Sequence, residues 1–327
     1  MKKKALITGI SGQDGYYLTQ LLLKKNYEVH GVVRRVALED PDHRLWRIKK
    51  ILNKIKLHVG SLESYASIVK IINSIKPDEI YHLAAQSFVG DSFVDEFSTM
   101  NSNINGTHYI LSAVREFSPK SKFYFAGSSE MFGKVKNIPQ NENTPFHPRS
   151  PYGISKVTGF DLTRNYRESY NLYCCSGILF NHESPKRGYE FVTRKISLGV
   201  AKIKCGLEKY IYLGNISAKR DWGHASDYVI AMWLMLQQKK PSDFVIGTGK
   251  NHSVKDFVKI AFETVGLDYK KYIKIDKKLY RPAEVQTLLS DYSKAKKILK
   301  WKPTIVFNQL VKEMVQKDLE NLKSKLK

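Results

Sequence analysis

Lys3-Lys4-Ala5-Leu6-Ile7-Thr8 runs directly into Gly9-Ile10-Ser11-Gly12-Gln13-Asp14-Gly15, and apolar residues recur after it at Leu18, Leu21 and Leu22. The first six residues read as a short buried strand, the glycines as a tight turn, and the leucine spacing as an amphipathic helix. Strand, turn and helix N-terminus together make an anion site, because the amides of the first helical turn lack helical partners and the helix dipole is positive there. The spacing is GxxGxxG rather than GxGxxG, and glycine triplets also occur in ordinary turns. Position decides between the two: directly after a strand, this is the pyrophosphate turn of a doubly wound α/β domain.

The next strand, Glu28 to Val33, ends in Arg34-Arg35. An acid at this point would hold a ribose 2′-hydroxyl, whereas arginine suits a 2′-phosphate. The alternative is that Arg34 and Arg35 are two more cations of a basic chain; NADP is the favoured cofactor.

Strands and helices then alternate without repeats or low-complexity linkers. Lys56 to Val59 is followed by a helix from Tyr65 to Ile75, a strand from Glu79 to Ala85, and a helix from Asn101 to Phe117. Lys122 to Ala126, a helix around Tyr152, and Leu172 to Phe180 continue the rhythm. This is the pattern of an α/β NAD(P)-binding Rossmann fold with a doubly wound parallel sheet. Beyond residue 181 it loosens. We expect a Rossmann domain over 1–180 with a return segment near 220–250, and a smaller, discontinuous α/β substrate lobe from 181–219 and 251–327.

Two runs carry chemistry. Ala126-Gly127-Ser128-Ser129-Glu130 ends a strand, and Tyr152-Gly153-Ile154-Ser155-Lys156 lies on a helix. A Tyr and a Lys four apart share one helix face. The ammonium can depress the phenol's pKa so that Tyr152 takes a proton from an alcohol, with Ser128 hydrogen-bonding the same hydroxyl. Glu130 adds a second acid/base that a plain dehydrogenase does not need.

At 327 residues and 42% hydrophobic, the chain can build one large core with a smaller lobe. No run approaches the roughly 18 apolar residues of a membrane helix. Cys174, Cys175 and Cys205 have no metal-ligand spacing, and no metal is expected; reduced thiols suit a cytoplasmic enzyme. The net charge of +23 exceeds what a dinucleotide and a nucleotide ligand could neutralise. Its lysines are scattered rather than striped with aromatics, which argues against nucleic acid and for a lysine-biased composition. The tail from Lys312 to Lys327 reads as an amphipathic helix that frays into solvent.

More specific runs extend over nearly the whole chain. They include Thr144-Pro145-Phe146, Pro148-Arg149-Ser150-Pro151-Tyr152, Asn181-His182-Glu183-Ser184-Pro185 and Phe191-Val192-Thr193-Arg194-Lys195-Ile196. Arg220-Asp221-Trp222-Gly223-His224-Ala225 and Arg281-Pro282-Ala283-Glu284-Val285 complete the set. On these the chain resembles the extended short-chain dehydrogenase/reductases, and within them the GDP-mannose 4,6-dehydratase family.

The resemblance implies that Tyr152 is the base for the sugar O4, that Lys156 holds the nicotinamide ribose, and that Glu130 works at C5 and C6. Ser128 replaces the family's usual threonine and keeps its hydroxyl. Cofactor contacts are implied for Gly9, Gly12, Gln13, Asp14, Gly15, Arg34, Arg35, Leu83, Ala84, Ala85, Ser87, His182 and Arg187. At the adenine end Ser61-Leu62 stands where the family has Asp-Leu. GDP-sugar contacts are implied for Ser87, Ser129, Asn181, Val192, Lys195, Gly214, Arg220, Arg281 and Glu284. His224 reads as a core histidine and Trp222 as packing. The implied reaction converts GDP-mannose to GDP-4-keto-6-deoxymannose in a homodimer or homotetramer. A GDP-manno-heptose substrate, or a 4-epimerase or decarboxylase of the same fold, are the alternatives. After Arg35 the chain departs from the family with Val36-Ala37-Leu38-Glu39-Asp40-Pro41-Asp42, which weakens the tetramer relative to the dimer.

Overall fold

The computed structural model describes residues 2–280, 285 and 287–326, so Arg281 and Glu284 lie outside the described residues. The first half comprises β1 (Lys4–Thr8), α1 (Gln13–Lys24), β2 (Glu28–Val33), α2 (Val36–Glu39), α3 (Pro41–Arg44) and β3 (Lys56–Val59). It continues with α4 (Tyr65–Ile75), β4 (Glu79–His82), α5 (Glu96–Met100), α6 (Gly106–Phe117), β5 (Lys122–Ser128) and α7 (Pro151–Tyr170). Then come β6 (Cys174–Leu179), β7 (Asn181–Glu183), α8 (Val192–Lys204), β8 (Ile211–Leu213), β9 (Lys219–His224) and α9 (Ala225–Leu236). Last are β10 (Phe244–Ile246), β11 (Asn251–Ser253), α10 (Val254–Glu263), β12 (Ile273–Ile275), β13 (Thr287–Leu288) and α11 (Phe307–Leu326).

Seven parallel strands form the main sheet in the order β10-β6-β5-β4-β1-β2-β3. The chain winds from β1 to β3, then crosses back to β4 beside β1 and winds the other way. That reversal leaves a crevice above the carboxyl ends of β1 and β4, where doubly wound sheets bind ligands. The α/β doubly wound fold is therefore as the sequence pattern required. Helices cover both faces. Ile68, Ile71, Ile72 and Ile75 place α4 on one core cluster, and Leu18 and Leu22 place α1 on the other. Spacings of three and four put each set on one helix face. Ser64 caps α4 by accepting from the Ser67 amide, so losing that hydroxyl would cost about 1 kcal/mol.

The second lobe is built around β9, which pairs with β7, β11 and β13; β8 and β12 form a separate two-stranded sheet. Within 220–250, α9 packs on α1 and β10 joins the main sheet, whereas β9 stays in the small one.

Three local expectations are corrected. The strand expected to reach Ala85 stops at His82, because β1 beside it ends at Thr8 and the backbone of 83–85 turns into the crevice. The helix expected from Asn101 starts at Glu96 and carries a π-turn over Asn101–Asn105, a distortion found mostly at functional sites. The C-terminal helix is not a frayed tail. Phe307, Leu310, Val311, Met314 and Val315 are buried in the lobe's core, each worth roughly 2 kcal/mol of apolar burial. Asp318, also buried, accepts from Arg194 Nη2 at 2.6 Å and Ser197 Oγ at 2.7 Å on α8. No described helix is long and apolar enough to cross a membrane.

Candidate active site

A cleft of about 570 Å³ opens at the crevice. Its floor is the turn between β1 and α1. Gly9 has φ +75°, and a Cβ there would come within 2.8 Å of the Ala84 amide nitrogen. A Cβ on Gly15 would sit 2.4 Å from the Gly9 carbonyl oxygen. Side chains are thus excluded at Gly9 and Gly15, which leaves the turn's backbone amides open to a phosphate. The first intrahelical bond runs from the Tyr16 amide to the Gly12 carbonyl. The earlier first-turn amides are therefore those a pyrophosphate would use. The cradle fits a dinucleotide.

Of the residues expected at the cofactor, Gly9, Gly12, Gln13, Asp14, Gly15, Arg34, Ser61, Leu62, Leu83, Ala84, Ala85, Ser87, Tyr152, Lys156, His182 and Arg187 all line this cleft. Arg35 does not. It is exposed and pairs with Glu39 at 3.2 Å, because at Arg35 the backbone has already turned helical to start α2. Asp14 and His182 turn toward each other, with His182 Nε2 2.7 Å from the Asp14 carboxylate. His182 Nδ1 is 2.8 Å from the Phe180 carbonyl. Both partners are acceptors, so both ring nitrogens are placed to donate, an arrangement that favours the protonated ring. Burial works to lower the His182 pKa, but the Asp14 charge overrides it and raises the group above its ordinary value. Burial likewise works to raise Asp14, and His182 with Arg187 hold it below the usual carboxylate range.

Across the cleft stand the reacting groups. β5 ends at Ser128, whose hydroxyl accepts from the Glu130 amide at 3.2 Å and starts the turn that presents Glu130. Ser150 caps α7 through the Gly153 amide at 3.0 Å, and Pro151 occupies its first turn. Tyr152 and Lys156 follow on one buried face. Ser128, Ser129, Glu130, Tyr152 and Lys156 all line the cleft.

The expectation that Lys156 depresses the Tyr152 phenol is corrected. Burial pushes Tyr152 up to about 12, reinforced by the Glu130 charge and opposed by the Ser128 hydrogen bond and Arg187. Burial also pushes Lys156 down to about 8, its ammonium donating to the Ala126 carbonyl at 2.9 Å.

The residues expected at the nucleotide sugar divide. Ser87, Ser129 and Asn181 line the cleft, whereas Val192, Lys195, Gly214 and Arg220 are not among its lining residues. Lys195 is exposed on α8. Arg220 is buried on β9 and donates to the carbonyls of Lys219 and Val285 at 2.8 and 2.7 Å. Trp222 is packed between Phe257 and Phe307, and His224 caps α9.

Sequence reasoning missed Asn103. Buried in the π-turn, it accepts from the Gln86 amide and donates to the Gln86 carbonyl and Ser155 Oγ at 2.9, 3.0 and 2.9 Å. Ser155 in turn donates to the Tyr152 carbonyl at 2.8 Å. Asn103 thus ties the cleft loop to the catalytic helix. The polar run Asn101-Ser102-Asn103 inside an otherwise apolar-periodic helix was its one signal.

The family model for GDP-mannose 4,6 dehydratase matches residues 6–314. The chain belongs to that family. It is 51% identical over 331 residues to GDP-mannose 4,6 dehydratase 1 of Arabidopsis thaliana, covering 98% of this chain and 90% of that protein. It is 48% identical over 344 residues to the Homo sapiens GDP-mannose 4,6 dehydratase, covering 98% and 92%. Among solved structures, the Bacillus anthracis dTDP-glucose 4,6-dehydratase in complex with NAD superposes with a TM-score of 0.85 at 21% identity, covering 99% of this chain and all of that one. That likeness shows the fold. In this chain Ser128, Glu130, Tyr152 and Lys156 line one cleft.

Proposed function

We propose that the protein is a GDP-mannose 4,6-dehydratase using NADP. The observation that carries this reading is Glu130, on the turn directly after β5 in the same cleft as Tyr152 and Lys156. A dehydrogenase or epimerase needs the Tyr/Lys pair; removing water needs a further acid/base. The cleft's described carboxylates are Asp14, Glu63 and Glu130. Asp14 is tied to His182, and Glu63 adjoins Ser61 and Leu62 just beyond β3, which leaves Glu130 for chemistry. Support for NADP comes from the end of β2, where Val32, Val33 and Arg34 line the cleft without an acid. Free cysteines fit a cytoplasmic setting.

The nicotinamide, when bound, accepts a hydride from C4 and returns it to C6. Tyr152 is assigned to take the O4 proton; burial opposes ionisation of its phenol, and the Ser128 hydroxyl and the Arg187 charge work against that opposition. The C4 ketone so formed acidifies C5–H. Glu130 removes that proton and hands one to the C6 oxygen, which leaves as water. The hydride taken from C4 is the one returned to C6, so no net redox occurs, and the proton taken from O4 balances the one that restores C5. Asn181 and Ser87 are assigned to the sugar, and Arg187 to the diphosphates.

The test is Glu130→Gln. Turnover should fall by about a hundredfold or more, the usual scale for a positioned acid/base, while cofactor and GDP-mannose still bind. C4 oxidation uses Tyr152, so reduced cofactor absorbing near 340 nm should accumulate with the 4-keto sugar. Near-normal loss of water by mass spectrometry would show the carboxylate to be structural.

A further inference from the structure

Arg47 belongs to a segment outside the cleft, yet it touches the cleft's floor from behind. Its Nη1 donates to the Ser11 carbonyl at 3.3 Å and its Nε to the Lys186 carbonyl at 2.7 Å. Ser11 sits in the pyrophosphate turn. Lys186 immediately precedes Arg187, which lines the cleft and pairs with Glu183 at 3.0 Å. One guanidinium thus joins the two phosphate-facing segments, one from each lobe.

Its hold on the turn has a mechanical consequence. The peptide between Ser11 and Gly12 is bound at both ends: Arg47 takes its carbonyl, and its amide donates to the Gly9 carbonyl at 2.9 Å. That plane fixes the orientation of Gly12, the N-cap of α1, and so the direction in which the Gln13, Asp14 and Gly15 amides point. Arg47 is itself preorganised. Its guanidinium lies 4.5 Å from the Trp46 ring centroid, and Trp46 stacks on Tyr189 at 6.1 Å and 22°. Lys186 Nζ sits 4.8 Å from the Trp46 ring and 4.9 Å from the Tyr16 ring. Aromatic rings and cations from 46–47, α1 and 186–189 form one clasp around the two carbonyls.

The bland alternative is that Arg47 only docks its own segment. Leu45, Ile48 and Ile51 already do so, all buried in the core cluster that contains Leu18 and Leu22. A charged fork spanning two lobes is superfluous for that purpose.

We infer that Arg47 is a positioning residue that aligns the pyrophosphate turn with the Arg187 segment, so that it governs dinucleotide affinity. This rests on the reading of the cleft as an NADP site. The experiment is NADPH fluorescence titration of the full chain as wild type, Arg47→Met and Arg47→Lys, with hydrogen exchange at the Gly12 amide, bonded to the Gly9 carbonyl, measured without cofactor. Arg47→Met should raise the NADPH Kd about tenfold, the scale of a lost charge-assisted hydrogen bond. It should also speed exchange at the Gly12 amide. Arg47→Lys, which keeps the charge and can reach one carbonyl, should fall between and serves if the methionine variant does not fold. A lowered melting midpoint with NADPH Kd within twofold of wild type would mean a docking role and overturn the inference, as would unchanged exchange. Absence of NADPH binding in the wild type would instead overturn the cofactor reading itself, and this inference with it.

Discussion

Replacing Lys156 by methionine should make the protein more stable while ending its turnover. Lys156 is 4% exposed, and its ammonium donates to the Ala126 carbonyl. Burial lowers its pKa from 10.5 to about 8. At 1.36 kcal/mol per unit, that difference corresponds to about 3 kcal/mol by which the folded state disfavours the charge. Methionine keeps most of the apolar stem and removes the charge. It also gives up one hydrogen bond, a loss of about 1 kcal/mol. The net expectation is roughly 2 kcal/mol of added stability at pH 7.

The pH dependence sharpens this. Below about pH 8 the lysine is charged folded and unfolded, so the penalty is complete. Between 8 and 10.5 the folded lysine sheds its proton while the unfolded one keeps it, and the penalty shrinks toward zero. Wild type should therefore close the gap on Lys156→Met as the pH rises through that window. Urea unfolding of both proteins without cofactor, at pH 7 and pH 10 in one salt concentration, measures it. A methionine variant no more stable than wild type at pH 7 would refute the reasoning, as would a gap that persists unchanged at pH 10. The result would mean that a catalytic cation is held in place against its own solvation, a trade of stability for function.

Arg34→Ala should reduce the preference for NADP over NAD by about tenfold, since a guanidinium on a phosphate is a charge-assisted contact; calorimetry giving the wild-type ratio would remove Arg34 from the 2′-phosphate. His182, with its pKa raised by Asp14 above 6.5, contributes stability that is complete below 6.5 and lost as the pH climbs through the raised value. Wild type should thus lose stability relative to His182→Gln as the pH rises above 6.5, and a constant difference would count against the ion pair. We also expect at least a homodimer, because α7 leaves Ile154 and Tyr170 44% and 45% exposed; light scattering that returned one 37.6 kDa species at micromolar concentration would contradict it.

Much of the main sheet could be read in advance because its signals are local. The bounds expected for β2, β3 and α4 coincide with those found, the last because isoleucines at 68, 71, 72 and 75 leave no other period. The glycine turn and the Tyr/Lys pair were equally local. What escaped was set by distance along the chain. Arg34 and Arg35 look equivalent in sequence, and the turn into α2 at Arg35 carries the second of them away from the cleft. Whether the Tyr152 phenol moves up or down depends on how deeply α7 packs on β5, which no spacing encodes. Arg47 gains its meaning from carbonyls 36 and 139 residues away.

The run Arg220-Asp221-Trp222-Gly223-His224 shows how a specific sequence signal can be mostly architecture. Asp221 is fully buried and accepts from the amides of Thr248, Gly249 and Ser290 and from the Thr248 and Ser290 hydroxyls. It thereby anchors the turn leaving β10 and the strand region after β13 to β9. Trp222 fills the lobe's core, and His224 caps α9. Removing the Asp221 carboxylate would leave several buried donors unsatisfied, each costing about 1–3 kcal/mol, so its side chain is committed before any ligand arrives. β9 is also the partner of β7, which begins at Asn181 and leads on to Arg187. The strand carrying the most specific run therefore holds the segment that reaches the cleft. Arg220 on the same strand is bonded to the Val285 carbonyl and so adds to that scaffold.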